Sequence, residues 1–124
     1  MSLPLIRYKV ARTIPFNGLI QEIILEHLDF QKDLEWLEGR LVLAPETMGD
    51  HVPGLKGLNL PVFKTRLRDS CCKLSLKEGW RLYYALSKET KTIYLLFLHH
   101  KKELENPAKK YLQQKIQRAF SEGI

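Results

Sequence analysis

The order of apolar and polar residues predicts a strand and a helix at the beginning of the chain. Residues 5–11 alternate loosely, as a half-buried strand does, and residues 13–15 (Thr-Ile-Pro) indicate a turn. Asn17 is interpreted as the helix cap, because its side chain can bind an unpaired N–H of the first turn. The apolar residues that follow recur at helical spacing: Ile20, Ile23, Ile24 and Leu28.

A second helix is predicted from residue 29 or 30 to a point before Pro45. Its apolar stripe is Leu34, Leu37 and Leu41, with Trp36 as a further candidate. Proline disfavours helical backbone in the residue before it. Residues 48–61 contain three glycines and two prolines, which is typical of a loop.

Three strand-like segments and one more helix follow. The strands are predicted at residues 62–68, 79–86 and 92–99, and the helix at residues 105–120. Because the connections between these strands are short, neighbouring strands should be antiparallel. The order predicts one α+β domain over residues 1–124, with a small antiparallel sheet of about four strands. Two N-terminal helices should pack on this sheet, followed by a C-terminal helix.

Charge is distributed unevenly along the chain. The net charge is +6, but residues 13–50 sum to −6 and residues 51–124 sum to +9. A positive surface attracts polyanions, and nucleic acid is the obvious class of partner. An average basic protein, whose charge serves only solubility, fits the composition equally well.

Composition also indicates where the protein works. No apolar run approaches the roughly 18 residues that a membrane helix needs, and residues 1–12 lack the apolar core of a secretory signal. Adjacent Cys71 and Cys72 are interpreted as reduced thiols. We therefore expect a cytoplasmic protein with no membrane partner.

Basic residues recur at every second position in the strand predicted at residues 62–68. Lys64, Arg66 and Arg68 share a face there, since side chains alternate across a strand. Arg81 and Tyr83 would join them if the register permits, on a face left open by the helices. Like charges opposite one another destabilise a sheet, and the strand carries no acid on this face. The pattern favours an anionic ligand over an ordinary solvated face.

The last predicted strand ends in His99, His100, Lys101 and Lys102. Neighbouring residues on a strand point to opposite faces, so at most one histidine should face the cations. Cations, a histidine and an aromatic ring together fit cleavage of an RNA phosphodiester. Fixed cations would stabilise the charge that grows on the phosphate oxygens, a histidine or lysine would move protons, and a ring would stack on a base.

Several short segments in this order resemble the RelE/HigB branch of bacterial type II toxins. They are FKTRLRD at residues 63–69, KEGWRLYYAL at 77–86 and TIYLLFLHHKKE at 92–103. The resemblance covers about residues 48–120. It implies a RelE-like fold and a metal-independent, ribosome-dependent mRNA endonuclease (an mRNA interferase) without a cofactor. The implied partners are mRNA, the ribosome and a cognate antitoxin protein that holds the toxin inactive.

The resemblance also assigns residues. Lys64 and Arg66 match the basic strand, Arg81 matches the arginine after the glycine turn, and Lys101 matches the basic end of the last strand. The expected catalytic residues are Lys64, Arg66, Arg81, His100 and Lys101. The expected RNA- or ribosome-binding residues are Lys56, Arg68, Tyr83, His99 and Lys102. No metal ligand is expected.

Some assignments stay open. The histidine pair departs from the small or hydroxyl residues of many family members, so the general acid and base are His99, His100, Lys64 or Lys101. Tyr111 is either near the site or at the polar edge of the last helix. Two other functions fit the same fold: a ParE-like toxin that inhibits gyrase, and an inactive relic that only binds nucleic acid.

Overall fold

A computed structural model describes residues 7–57, 59–70, 78–101, 104 and 107–122. The elements in chain order are β1 (Lys9–Arg12), α1 (Ile14–Ile23), α2 (Phe30–Leu41), β2 (Asp50–Gly57), β3 (Leu60–Leu67), β4 (Trp80–Ser87), β5 (Thr92–His100) and α3 (Lys109–Glu122). Cys71, Cys72, Lys102, the side chain of Lys56 and the predicted start of the last helix at residue 105 lie outside the described residues. No helix in the described ranges is long and apolar enough to cross a membrane.

The strands form a five-stranded sheet in the order β1-β5-β4-β3-β2. β1 runs parallel to β5, whereas the β5–β4, β4–β3 and β3–β2 pairs are antiparallel. The α+β class with two N-terminal helices and a C-terminal helix is confirmed. The sheet is mixed and has one strand more than the sequence predicted.

The additional strand is β2, which lies within the segment predicted to be a loop (residues 48–61). β2 is an edge strand with a register shift between His51 and Lys56. Pro53 and Gly54 fall within this shift, and Gly54 has a φ of 88°. Edge strands tolerate proline because one side of the backbone needs no partner, and glycine supplies the positive φ of a bulge. The residues that indicated a loop therefore form an irregular edge.

The first helix begins earlier than predicted. Pro15 occupies its first turn, where the missing N–H has no partner to lose and φ is already helical. Thr13 precedes the helix, and its hydroxyl donates a hydrogen bond of 2.8 Å to the carbonyl of Leu95. Residues 13–15 are thus the helix start, and Asn17 lies inside the helix rather than at its cap.

Helices cover both faces of the sheet. α1 and α2 pack Phe16, Ile20, Leu34 and Leu37 against one face together with Leu82 and Tyr84. α3 packs Leu112, Ile116 and Ala119 against the other face, which carries Tyr83, Ala85 and Leu96. The expectation of an open second face is therefore wrong, since α3 covers its middle and the basic side chains lie beside the start of this helix.

Gly79, immediately before β4, is tightly enclosed. A Cβ at Gly79 would clash with the backbone carbonyl oxygen of Leu67, so the backbone must move to admit alanine. We expect Gly79→Ala to lower the free energy of unfolding by about 1–3 kcal/mol. Gly18→Ala is the matched control: a Cβ there meets nothing within 4 Å, and alanine favours helix by up to about 1 kcal/mol. Urea denaturation of both variants checks this, and equal stability of wild type and Gly79→Ala would contradict it.

Candidate active site

The strand register brings the predicted basic residues together. In the β3–β4 pair, Lys64 lies opposite Tyr83 and Arg66 lies opposite Arg81. In the β4–β5 pair, Arg81 lies opposite His99. Directly opposite residues share a face, with Cβ atoms about 4.5–5.5 Å apart. Arg66, Arg81 and His99 therefore form a row across three adjacent strands, which we call the Arg66–Arg81–His99 row.

A pocket of about 430 Å³ lies between this row and the beginning of α3. Its basic lining residues are Lys64, Arg66, Arg81, Lys101 and Lys109. The other lining residues are Val52, Tyr83, His99, Pro107 and Leu112, so the described lining contains no acid. We call this the cation pocket. Lys109 was not predicted, because its place depends on how α3 packs and no local pattern indicates that.

A second cavity of about 480 Å³ shares Lys64, Arg66 and Arg81 with the cation pocket. It also contains Asp50, which lies opposite Lys64 in the β2–β3 pair. The predicted strand itself carries no acid on this face, but the neighbouring strand β2 brings Asp50 to this end. No local pattern indicated this placement, because Asp50 belongs to the segment that was predicted to be a loop.

Arg81 is held in an unusual environment for a cation. It is 9% exposed, and one of its terminal nitrogens donates a hydrogen bond of 3.2 Å to the carbonyl of Trp80. Burial lowers the pKa of Arg81, and the positive charge of Arg66 lowers it further. Arginine nevertheless stays protonated at neutral pH. The two guanidinium groups repel one another, and an anion bound between them would relieve that repulsion.

His99 lies on the cation side of the sheet. Its Nε2 is 3.0 Å from the hydroxyl of Tyr83, and within the described residues its buried Nδ1 has no hydrogen-bond partner. Burial is the main cause that lowers the pKa of His99 below its ordinary value, and Arg81 and Lys64 add to this effect. His99 is therefore neutral at pH 7 and can accept a proton.

Tyr83 is positioned to hold His99 in place. Its ring is 2% exposed and packs against Phe97 and His99, with ring centres 6.3 and 5.6 Å away. Burial raises the pKa of Tyr83 to about 12. A ring as buried as that of Tyr83 has no face free to stack on an RNA base. The geometry therefore favours a role for Tyr83 in positioning His99 over the predicted role in RNA stacking.

His100 faces the opposite side of the sheet. Its Nε2 lies 3.1 Å from Oδ2 of the buried Asp69, which also contacts Nδ1 of His27 at 3.2 Å. The Trp80 ring packs against His100 with centres 4.9 Å apart. The structure thus brings His99, and not His100, to the cation pocket.

Of the remaining residues considered in the sequence, Lys101 lines the cation pocket, whereas Arg68 and Tyr111 do not. The backbone N–H of Lys101 donates to the carbonyl of Gly79 at 3.1 Å. Arg68 lies beyond the end of β3, and its guanidinium carbon is 4.9 Å from the ring centre of Trp36. Tyr111 lies on the exposed side of α3, 39% exposed, with its ring centre 6.1 Å from that of Phe97. Of the three cations predicted to share a face of the strand at residues 62–68, Lys64 and Arg66 line the cation pocket and Arg68 does not.

The lowered pKa of His99 predicts a pH effect on stability. The unfolded histidine, with the ordinary value of 6.5, takes up a proton before the folded one. The contribution of His99 is therefore complete above about pH 6.5 and is lost as the pH falls toward the lower folded value. We expect the difference in unfolding free energy between wild type and His99→Gln to move against wild type on acidification. Urea denaturation between about pH 8 and pH 5 measures it; a difference independent of pH would contradict it.

Comparisons with known proteins bear on the fold. No protein-family model matches the chain, and a search of curated proteins finds no match. Among solved structures, a mutant of the E. coli toxin RelE in the free state aligns with a TM-score of 0.54 and 14% identity. The alignment covers 94% of this chain and 94% of that chain. The domain therefore has the RelE-like fold that the sequence resemblance implied, and at this identity the likeness establishes the fold alone.

Proposed function

We propose that the protein is the toxin of a type II toxin–antitoxin system and a ribosome-dependent mRNA endonuclease that needs no metal or cofactor. The observation that carries this proposal is the Arg66–Arg81–His99 row at the wall of the cation pocket, within a RelE-like fold. A neutral histidine beside fixed guanidinium groups can supply a base and charge stabilisation for cleavage of an RNA phosphodiester.

In the proposed reaction, the 2′-hydroxyl of the mRNA attacks its own 3′-phosphate. His99 takes the proton of this hydroxyl after its Nε2 exchanges the Tyr83 hydroxyl for the 2′-hydroxyl. The 2′-oxygen forms a bond to phosphorus, and the bond from phosphorus to the 5′-oxygen breaks. Lys64, Arg66 and Arg81 stabilise the negative charge on the phosphate oxygens. Lys101 gives a proton to the departing 5′-oxygen. The products are a 2′,3′-cyclic phosphate and a 5′-hydroxyl.

The partners of such a toxin would be the ribosome, its mRNA and a cognate antitoxin. The ribosome would present the mRNA to the cation pocket, and basic side chains around the pocket would contact phosphates. A cognate antitoxin protein would cover or distort the cation pocket, and an acidic segment would complement its charge. The site of action is the cytoplasm, where ribosomes and mRNA meet.

Induction in bacterial cells tests the class of target. Wild-type protein should stop incorporation of labelled methionine before that of labelled thymidine, with decay of mRNA and unchanged plasmid supercoiling. Arg81→Ala, produced in equal amount, is the matched variant and should have neither effect. If thymidine incorporation stops first and supercoiling changes, the ParE-like alternative replaces the proposal. Normal incorporation of both labels at a confirmed level of folded wild type would leave the nucleic-acid-binding relic.

A further inference from the structure

A second group of basic side chains lies outside the cation pocket, on α2 and after β3. The guanidinium carbons of Arg40 and Arg68 lie 4.5 and 4.9 Å from the ring centre of Trp36. Trp36 is 39% exposed, and both arginines are exposed. An aromatic ring holds a nearby guanidinium by cation–π attraction. We call this group the Trp36–arginine cluster.

The carboxylates of α2 are engaged elsewhere. Asp33 accepts hydrogen bonds from the backbone and hydroxyl of Ser70 at 3.0 and 2.6 Å. Glu35 accepts from Gln31 at 3.1 Å, and Glu38 is held by Arg12 through two bonds of 2.8 Å. Within the described residues, neither arginine of the cluster forms a salt bridge.

The negative end of the α2 dipole accounts for Arg40 in the last turn of that helix. It does not account for Arg68, which comes from a different element and converges on the same ring. Two cations that pair with no carboxylate in the described part of the chain, gathered at one exposed ring, fit an external anion.

The cluster is continuous with the proposed active site. The cavity of about 480 Å³ is lined by Trp36 and Leu37 of α2 as well as by Lys64, Arg66 and Arg81. Asp50 also lines it and offsets part of the positive charge there. A polyanion that enters the cation pocket and follows this cavity would reach Trp36, whose ring Arg40 and Arg68 contact.

We propose that the Trp36–arginine cluster is a separate binding subsite for the phosphodiester backbone of RNA. This inference rests on the proposed function for the identity of the polyanion. The phosphates belong either to the mRNA on one side of the cleaved bond or to ribosomal RNA. Both sources offer the same chemistry, in which a guanidinium binds two phosphate oxygens.

Salt dependence of binding tests the subsite. The probe is a labelled single-stranded 2′-O-methyl RNA, which cannot be cleaved, and a parallel arm uses ribosomes without mRNA. Arg40→Gln/Arg68→Gln is compared with Lys88→Gln/Arg118→Gln, which removes the same charge from two surface ion pairs. The slope of log affinity against log salt should become shallower by about 0.7 per lost phosphate contact in the first variant and stay unchanged in the second. Equal melting temperatures confirm that both variants fold.

The outcomes separate this inference from the proposed function. A shallower slope with the oligonucleotide identifies mRNA as the source, and a weaker affinity for ribosomes alone identifies ribosomal RNA. If the two double variants have the same salt slope with the oligonucleotide and the same affinity for ribosomes, the proposed subsite is wrong. This holds even if the wild type cleaves mRNA. A slope change in a protein that cleaves nothing keeps the subsite as an RNA-binding element and overturns the nuclease.

Discussion

Arg66→Gln is expected to reduce ribosome-dependent mRNA cleavage by about 10²–10³-fold and to leave the fold at least as stable as wild type. Arg66 lies opposite Arg81 in the sheet, so its removal takes a fixed donor from the phosphate and also relieves a like-charge pair. Such a pair costs about 0.2–1 kcal/mol. Single-turnover cleavage on programmed ribosomes measures the first effect, and urea denaturation measures the second.

Lys32→Gln is the matched control, because Lys32 is an exposed basic residue of α2 and lines neither cavity described above. It should cleave at the wild-type rate. A variant Arg66→Gln that keeps full activity would show that Arg66 does not face the reacting phosphate. A variant that loses activity by unfolding would mean that Arg66 has a structural role.

Replacement of the two adjacent histidines should have opposite consequences. His99→Gln should reduce the cleavage rate by about 10²–10⁴-fold, because it removes the proposed base from the cation pocket. His100→Gln should leave the rate of the folded protein nearly unchanged. It should instead lower the free energy of unfolding by about 1–3 kcal/mol, since the buried Asp69 loses a hydrogen-bond partner.

Tyr83→Phe separates a general loss of packing from the loss of the base. It keeps the ring and removes only the hydroxyl that contacts Nε2 of His99. We expect a smaller loss of rate than in His99→Gln, together with a change in the pH dependence of cleavage. Full activity in His99→Gln, or a rate loss confined to His100→Gln, would return the catalytic assignment to His100.

Alternation along the strands was enough to predict much of the site. It placed Lys64 and Arg66 on one face and Arg81 and Tyr83 on one face of the next strand. The two sets meet only because the register pairs Arg66 with Arg81, and short connections made that pairing plausible without fixing it. Alternation likewise required His99 and His100 to face opposite sides, but only the fold shows which one faces the cations.

Other features depend on packing between distant segments. Asp50 enters the site because an irregular edge strand pairs with β3, although Pro53 and Gly54 carry loop signals. Lys109 enters because α3 lies across the second face of the sheet. Amphipathic spacing predicted this helix but not the sheet face that it covers. Local sequence thus indicated which residues are basic and on which face, and the tertiary fold determined their neighbours.

Primer extension on a defined mRNA in a purified translation system tests the central claim most directly. Wild-type protein should cut the mRNA only when ribosomes are present, and the cuts should disappear with Arg81→Ala. The products should end in a 2′,3′-cyclic phosphate and a 5′-hydroxyl. Intact mRNA after incubation with folded wild-type protein and translating ribosomes would contradict the account.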